Sequence, residues 1–533
     1  MTSGSERNRY GQRLWFWGIL LLFLVVILFT YRDYGITWDE DVQSRYGELV
    51  HDYFASGFAK KECNSFLNLG LYGPAFELAA AAVYAAHYES RFEIRHLLIA
   101  LTALLAVAAV MRYGGLLGDP LVPLFASLAL LTFPRFYGDA FNNSKDMPFA
   151  CGFTWAMFAI VLLFHGKRCS WWKVLLAGFL IGLALSIRTG GFLLFLFLAA
   201  VALYSTFLQK PQQGRRLPQL LGPARIAKFL VIIVLSWAIM VALWPWAHQS
   251  IVLNPLRSFE STTAFQAPYP LLFNGKIVLS NQLPWYYLPQ FLVITTPPIL
   301  LLLFFVGLGS SIHRQVRSPG DESNLPACGA QFWFFFPLLY FIVKRPNVYD
   351  GIRHFLFIVP ALALIAGIGA TAVARTFTGS RGKVATGVLV VLILLTVPSL
   401  VALHPYQTTY FNFLVGGLKE AAKSYETDYW TSSYKEAMEW VNERSAERGG
   451  PVSVLLAAND FNPQCAEYYR APQVKVERMF TRQRKGGLPS GFDYYIGTTR
   501  YGYHLNFPEA PVVHVVGRAG AAFTVIRGRS KKP

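Results

Sequence analysis

A chain of 533 residues that is 54% hydrophobic, 16% aromatic and only 15% charged has a mean hydropathy of +0.37. Soluble domains carry about a quarter charged residues, so this composition excludes an ordinary soluble enzyme. The formal net charge of +18 does not point to nucleic acid. The basic residues lie mostly in short loops between apolar runs, where they orient helices. They form no single basic face with interleaved aromatics.

In chain order, apolar runs occupy 14–30, 72–88, 96–113, 120–133, 147–164, 172–188, 190–207, 227–246, 287–308, 329–343, 354–374 and 384–403. Many approach the ~20 residues needed to cross a bilayer. They predict an all-α polytopic membrane protein with about 11–13 transmembrane helices. The N-terminal stretch "MTSGSERNRYGQRLWFWGILLLFLVVILFT" lacks a small-residue cleavage site and reads as a retained first span. The scattered cysteines (Cys63, Cys151, Cys169, Cys328 and Cys465) show no CxxC and no metal-ligand spacing, so neither a disulfide framework nor a zinc site is implied.

Lys and Arg in short loops set the orientation. Arg7, Arg9 and Arg13, the basic stretch Gln209 to Lys228, "HRQVR" at His313 to Arg317 and "RTFTGSRGK" at Arg375 to Lys383 are all expected in the cytoplasm. The external loops are then 31–71, 134–146, 247–286 and 344–353, and 404–533 lies outside. The parity conflicts if 72–88, 96–113 and 120–133 each cross once. The Gly114-Gly115 and Asp119-Pro120 breaks point to the second and third of these as the segments that do not simply cross. Residues 1–403 form the expected transmembrane module.

The remainder, 404–533, reads as a small α/β domain. A helix is expected in "SSYKEAMEWVNERSAERGG", with Ser433 as N-cap, Glu436 closing a capping box and Gly449 near its end. Short strands are expected at Val452–Ala458, Asp493–Thr499, Pro511–Gly517 and Ala521–Arg527. The domain either binds acceptor or serves as a lid or packing unit.

Polar residues converge on the expected outer face in four places. "YGITWDED" carries Asp39, Glu40 and Asp41 just after the first span. The residues that follow have a helical apolar period at Val42, Tyr46, Leu49, Val50 and Tyr53, suited to a short helix along the membrane surface. Taken alone, Asp39 is more simply the cap of that helix than a site. The loop "TFPRFYGDAFNNSKDMPFA" sets Arg135, Asp139, Asn143, Lys145 and Asp146 among aromatics, with Asp146 also a candidate N-cap. Arg188, in "ALSIRTGGF", lies between two apolar runs, where a charge needs a partner, a ligand or a route to the headgroups. Finally, "KRPNVYDGIRHFLFIVP" places Lys344, Arg345, Arg353 and His354 outside, against the positive-inside trend. An anion at that surface accounts for them, whether a substrate phosphate or a phospholipid headgroup.

Carboxylates suit deprotonation of a nucleophile, and cations suit a departing phosphate. Around a membrane cavity the pair describes glycosyl transfer from a lipid-linked phosphosugar. A transporter or flippase of a lipid-linked sugar is the alternative. It would favour paired half-helices or repeats at the midplane, and neither is legible here.

The order of the acidic "WDE", "PRFYGDAFNNSKDMPFA", "GFLIGLALSIRTGG" and "GIRHFLFIVPALALIAGIG" resembles the GT-C membrane glycosyltransferases over roughly residues 10–405. The nearest group is glycosyltransferase family 39, with its protein O-mannosyltransferases and the bacterial aminoarabinose transferases that act on lipid A. The resemblance implies a GT-C fold and inversion at the anomeric carbon by one in-line displacement. It implies Asp39 as catalytic base with Glu40 beside it, Asp146 of "DMP" as a second catalytic acid, and Arg188, Arg353 and His354 as phosphate ligands. Lys344 and Arg345 are expected to join the phosphate site, and Arg135, Asp139, Asn143 and Lys145 to contact substrate. "FNNSKD" is more polar than the common form of that loop, and the tail holds no recognisable carbohydrate-reading module. No nucleotide or other cofactor is implied, although Asp39, Glu40 and Asp146 could hold a divalent metal. The expected partners are a polyprenyl-phosphate sugar donor, a lipid, glycan or protein acceptor, and membrane lipids. The expected location is a bacterial inner membrane, with the active site and C-terminal domain on the periplasmic side.

Overall fold

The computed structural model describes residues 2–166, 169–208, 222–263, 268–458, 463–480 and 484–529. Helix α1 (Thr2–Thr30) leads into α2 (Trp38–Ala55). Thr37 and Glu40 form a capping box at the start of α2, so the cap is Thr37 and not Asp39. The expected apolar face of α2 forms: Tyr46, Val50 and Tyr53 are buried with Cys63 and Leu69, and Val42 and Leu49 pack against them.

The expected span at 72–88 is instead the ten-residue helix α3 (Ala75–Tyr84). At ~1.5 Å per residue it is about 15 Å long and cannot cross a bilayer. Helix α4 (Arg91–Gly115) starts beside α2, where His96 meets Glu40, and ends against Pro123 in α5 (Leu121–Leu131). A 66° bend then joins α5 to α6 (Pro134–Asn142), which returns to the end where α2 lies. The parity conflict is therefore resolved at 72–88, and not at the glycine- and proline-marked breaks to which the sequence points.

The bundle continues with α7 (Asp146–Phe164), α8 (Trp171–Leu185), α9 (Leu193–Leu203) and α10 (Pro223–Leu243). Residues 209–221, most of the expected basic cytoplasmic loop, lie outside the described residues. The amphipathic α11 (Leu253–Thr263) and a hairpin of β1 (Pro270–Phe273) and β2 (Lys276–Leu279) fill the 247–286 loop. The run 287–308 is broken at Thr296-Pro297 into α12 (Tyr287–Thr295) and α13 (Pro298–Arg317). Helices α14 (Leu325–Lys344), α15 (Val359–Arg375) and α16 (Gly379–Leu394) complete the bundle.

Among the described residues, eight helices are long and apolar enough to cross a membrane, nine if the bent pair counts as one span. Leu14–Thr30 and Trp171–Leu185 are shorter apolar helices, so on length alone the count falls below the eleven to thirteen expected. Helices α13 and α15 cross at Gly307 and Gly369. A Cβ on either glycine would strike backbone of the opposite helix. Such close backbone approach supplies packing where lipid offers no hydrophobic drive.

The C-terminal region forms a five-stranded sheet ordered β4-β3-β5-β7-β6. Its strands are β3 (Val452–Ala457), β4 (Val474–Met479), β5 (Tyr494–Thr498), β6 (Val512–Arg518) and β7 (Ala521–Gly528). β3 runs parallel to β4 and β5, and β7 runs antiparallel to β5 and β6. β4 was not expected from sequence because it is an edge strand whose Lys475, Glu477 and Arg478 interrupt the apolar pattern. Helix α17 (Tyr434–Arg448) ends on Gly449 as expected, but its capping box does not form. The Ser433 hydroxyl pairs with Thr524, and Glu436 instead accepts from Tyr406 and Arg518.

Candidate active site

Three segments meet at one end of the bundle. The loop between α1 and α2 is clamped on both sides. Tyr34 stacks on Phe141 at 4.0 Å and donates to Gln407 at 3.0 Å. Thr37 donates to the Asn142 carbonyl, and the Ile36 and Trp38 amides donate to the Tyr469 hydroxyl and the Trp430 carbonyl. These contacts fix the first turn of α2, and with it Asp39.

Asp39 accepts a hydrogen bond from Arg353 at 3.0 Å. About a third of the Asp39 side chain (34%) stays open, while that of Arg353 is 6% exposed. Arg353 lies over the rings of Tyr349 (4.7 Å) and Trp430 (5.3 Å) and sits 3.3 Å from Asp350. Burial raises the Asp39 carboxyl, but the charges of Arg353, Lys145 and Arg500 and the Arg353 hydrogen bond outweigh it. The group is held below its ordinary range.

A second ion pair joins Arg188 to Asp146. Arg188 follows α8 in extended conformation, and Asp146 is the first residue of α7. Asn143 holds Asp146 in place: its carbonyl accepts from the Asp146 amide at 2.9 Å and its amide donates to Asp146 and to Asp139, each at 3.2 Å. Asp146 is thus buried and capped by Asn143, not a solvated N-cap. Arg353 and Asp39 both act electrostatically on Arg188, so the two ion pairs belong to one cluster. Lys145 lies over Tyr72 at 5.2 Å, and His354 packs edge-on against Tyr349 at 4.7 Å.

No family model and no curated protein matches the sequence. Among solved structures the chain is similar to ArnT from Cupriavidus metallidurans bound to undecaprenyl phosphate, at TM-score 0.50 and 15% identity over 97% of this chain and 98% of that one. The fold is that of the GT-C membrane glycosyltransferases. The Archaeoglobus fulgidus oligosaccharyltransferase AglB, solved with an inhibitory peptide and a dolichol-phosphate, is also similar, at TM-score 0.51 and 11% identity over 91% of this chain and 69% of that one.

Within this GT-C fold, several expected site residues lie elsewhere. Glu40 is fully buried. It accepts from the Thr37 amide (2.8 Å) and hydroxyl (3.2 Å) and meets His96 at 3.2 Å. Arg135 and Asp139, expected to contact substrate, are buried, and Asn143, expected to do the same, is buried against Asp146. Arg135 lies over Phe291 and Phe411 and packs beneath Gly351, where a Cβ would come within 2.8 Å of its guanidinium. Lys344 and Arg345 remain exposed at the end of α14 and do not join the buried cluster.

The three acids do not converge as metal ligands would. Asp39 is tied to Arg353, Asp146 to Arg188 and Glu40 to Thr37 and His96. Among the described residues no three His, Cys, Asp or Glu side chains group around one point. Sequence reasoning missed Asp350, Tyr349 and Trp430. The Asp350-Gly351 turn, with both residues at positive φ, was a legible signal just ahead of Arg353. Nothing in the sequence marked Tyr349 or Trp430.

Proposed function

We propose that the protein is an inverting glycosyltransferase that moves a sugar from a polyprenyl-phosphate donor to a lipid, glycan or protein acceptor. The observation that carries this reading is the partly open Asp39–Arg353 pair, which places a candidate base against a candidate phosphate ligand. The undecaprenyl phosphate of the ArnT structure and the dolichol-phosphate of the AglB structure support a lipid-phosphate donor. The loop charges favour a site on the extracytoplasmic side of the membrane.

The acceptor hydroxyl or amine gives its proton to Asp39 as its oxygen or nitrogen attacks the anomeric carbon. The bond from that carbon to the phosphate oxygen breaks, and its electron pair leaves with polyprenyl phosphate. Arg353 and Arg188, with His354 at the edge, stabilise the charge that grows on that phosphate. Beside Arg353 alone, Asp39 is a weak base. Once the donor phosphate draws the guanidinium away, the strongest of the charges that hold the carboxyl low is gone and the carboxylate becomes more basic. An apolar groove of about 610 Å³ between α9 and α10 begins at Phe192, four residues past Arg188, and suits the polyprenyl tail.

The test is transfer by the purified protein in vesicles supplied with a labelled polyprenyl-phosphate sugar and a membrane lipid extract. The expected result is labelled acceptor together with released polyprenyl phosphate. Movement of intact donor across the bilayer without cleavage would instead establish a transporter.

A further inference from the structure

The Asp39–Arg353 pair does not end within the transmembrane module. Asp350, whose side chain is fully buried, stands between two guanidiniums. Arg353 lies 3.3 Å from one carboxylate oxygen, and Arg500 donates to the other at 2.6 Å. Arg500 belongs to the C-terminal domain, in the turn directly after β5, and is 1% exposed. Its guanidinium also lies 4.5 Å over the ring of Trp38, the residue before Asp39, and Trp38 stacks on Tyr501. One side chain therefore touches the neighbours of both Asp39 and Arg353.

The backbone on both sides of the contact is left-handed. Asp350 (φ 60°) and Gly351 (φ 72°) face Tyr501 (φ 57°) and Gly502 (φ 72°). Non-glycine residues in this region are uncommon and persist where surrounding contacts hold them. Charges alternate along the row Arg500, Asp350, Arg353, Asp39, all partly or wholly buried. A buried carboxylate needs a compensating partner. With Arg500 absent, Asp350 would draw both nitrogens of the Arg353 fork onto itself, the strongest geometry open to that pair. Arg353 would then be held away from Asp39 and from any incoming phosphate.

We propose that Arg500 is a positioning residue supplied by the C-terminal domain, which neutralises Asp350 and so leaves Arg353 free to hold the donor phosphate beside Asp39. The proposal rests on Arg353 as a phosphate ligand. It makes the domain part of the site's electrostatics, beyond a lid.

The experiment compares wild type, Arg500→Gln and Asp350→Asn/Arg500→Gln in the full-length protein. Undecaprenyl phosphate binding is read by native mass spectrometry and backbone hydrogen exchange over residues 36–41 and 346–353 is read without ligand. Arg500→Gln is expected to weaken binding about tenfold or more. The double variant, which removes the unpaired carboxylate, is expected to recover most of that loss. A role in domain docking alone predicts no recovery, and unchanged binding in Arg500→Gln would overturn the proposal outright. Should wild type bind no polyprenyl phosphate, the functional reading fails. The exchange data then decide the positioning role: faster exchange of both segments in Arg500→Gln supports it, and unchanged exchange refutes it. If Arg500→Gln does not fold, Arg500→Lys, which keeps the charge beside Asp350, is expected to hold binding within about threefold of wild type, and a tenfold loss in folded Arg500→Lys would overturn the neutralising role.

Discussion

Asp39 and Glu40 are adjacent in the chain, yet they sit in two different environments. Asp39 faces Arg353 with a third of its side chain open. Glu40 faces inward, closes the cap of α2 and meets His96, one helical position from the fully buried Arg95 that donates to Glu77 at 2.6 Å. Both regions are rich in buried charge. The difference is that the scaffold cluster has buried both its carboxylates, whereas the Arg353 cluster leaves one within reach of a substrate. Buried charge alone marks neither function nor structure; an open edge on a paired charge separates them.

Five substitutions sharpen that contrast. The largest effect is expected for Arg353→Ala, which removes a charge-assisted ligand and should weaken polyprenyl-phosphate binding about 10- to 100-fold, measured by titration in detergent. Next, Glu40→Gln strips the charge from the cap and from the His96 contact. A loss of about 1–3 kcal/mol in stability is expected, seen as a lowered thermal midpoint, with turnover per folded molecule unchanged. A loss of turnover without a loss of stability would erase the distinction between the two acids.

Lys145→Gln should act more gently, through Asp39. Lys145 is one of the charges that hold this carboxyl low, so its removal raises the folded-state pKa. The carboxylate, present above that pKa and lost as pH falls through it, is then lost at a higher pH. The acid limb of the transfer rate should move upward by less than about one unit, read from the pH profile of transfer. Smallest of all, Lys344→Ala and Arg345→Ala should change transfer less than about threefold, because exposed charges screened by water contribute little.

Much of the bundle was legible because a bilayer demands long apolar runs, and the site's outline was legible because charges at that boundary are costly. The capping box was legible too, since Thr37-x-x-Glu40 has the required spacing; recognising it releases Asp39 from a capping role and assigns Glu40 to the scaffold. The false span at 72–88 shows the limit of hydropathy: Ala-rich helix α3 is apolar enough but ends at Tyr84. Asp350 and Arg500 were hidden for a different reason. They lie 150 residues apart and meet only once the C-terminal sheet docks on the bundle.

The central claim is that Asp39 takes the acceptor proton. It is tested most directly by Asp39→Asn in the vesicle transfer assay, with polyprenyl-phosphate binding measured on the same preparation. The account predicts a fall in transfer of about 10²- to 10⁴-fold, the span of general base catalysis, with donor still bound. Transfer at the wild-type rate by a correctly folded Asp39→Asn protein would contradict it.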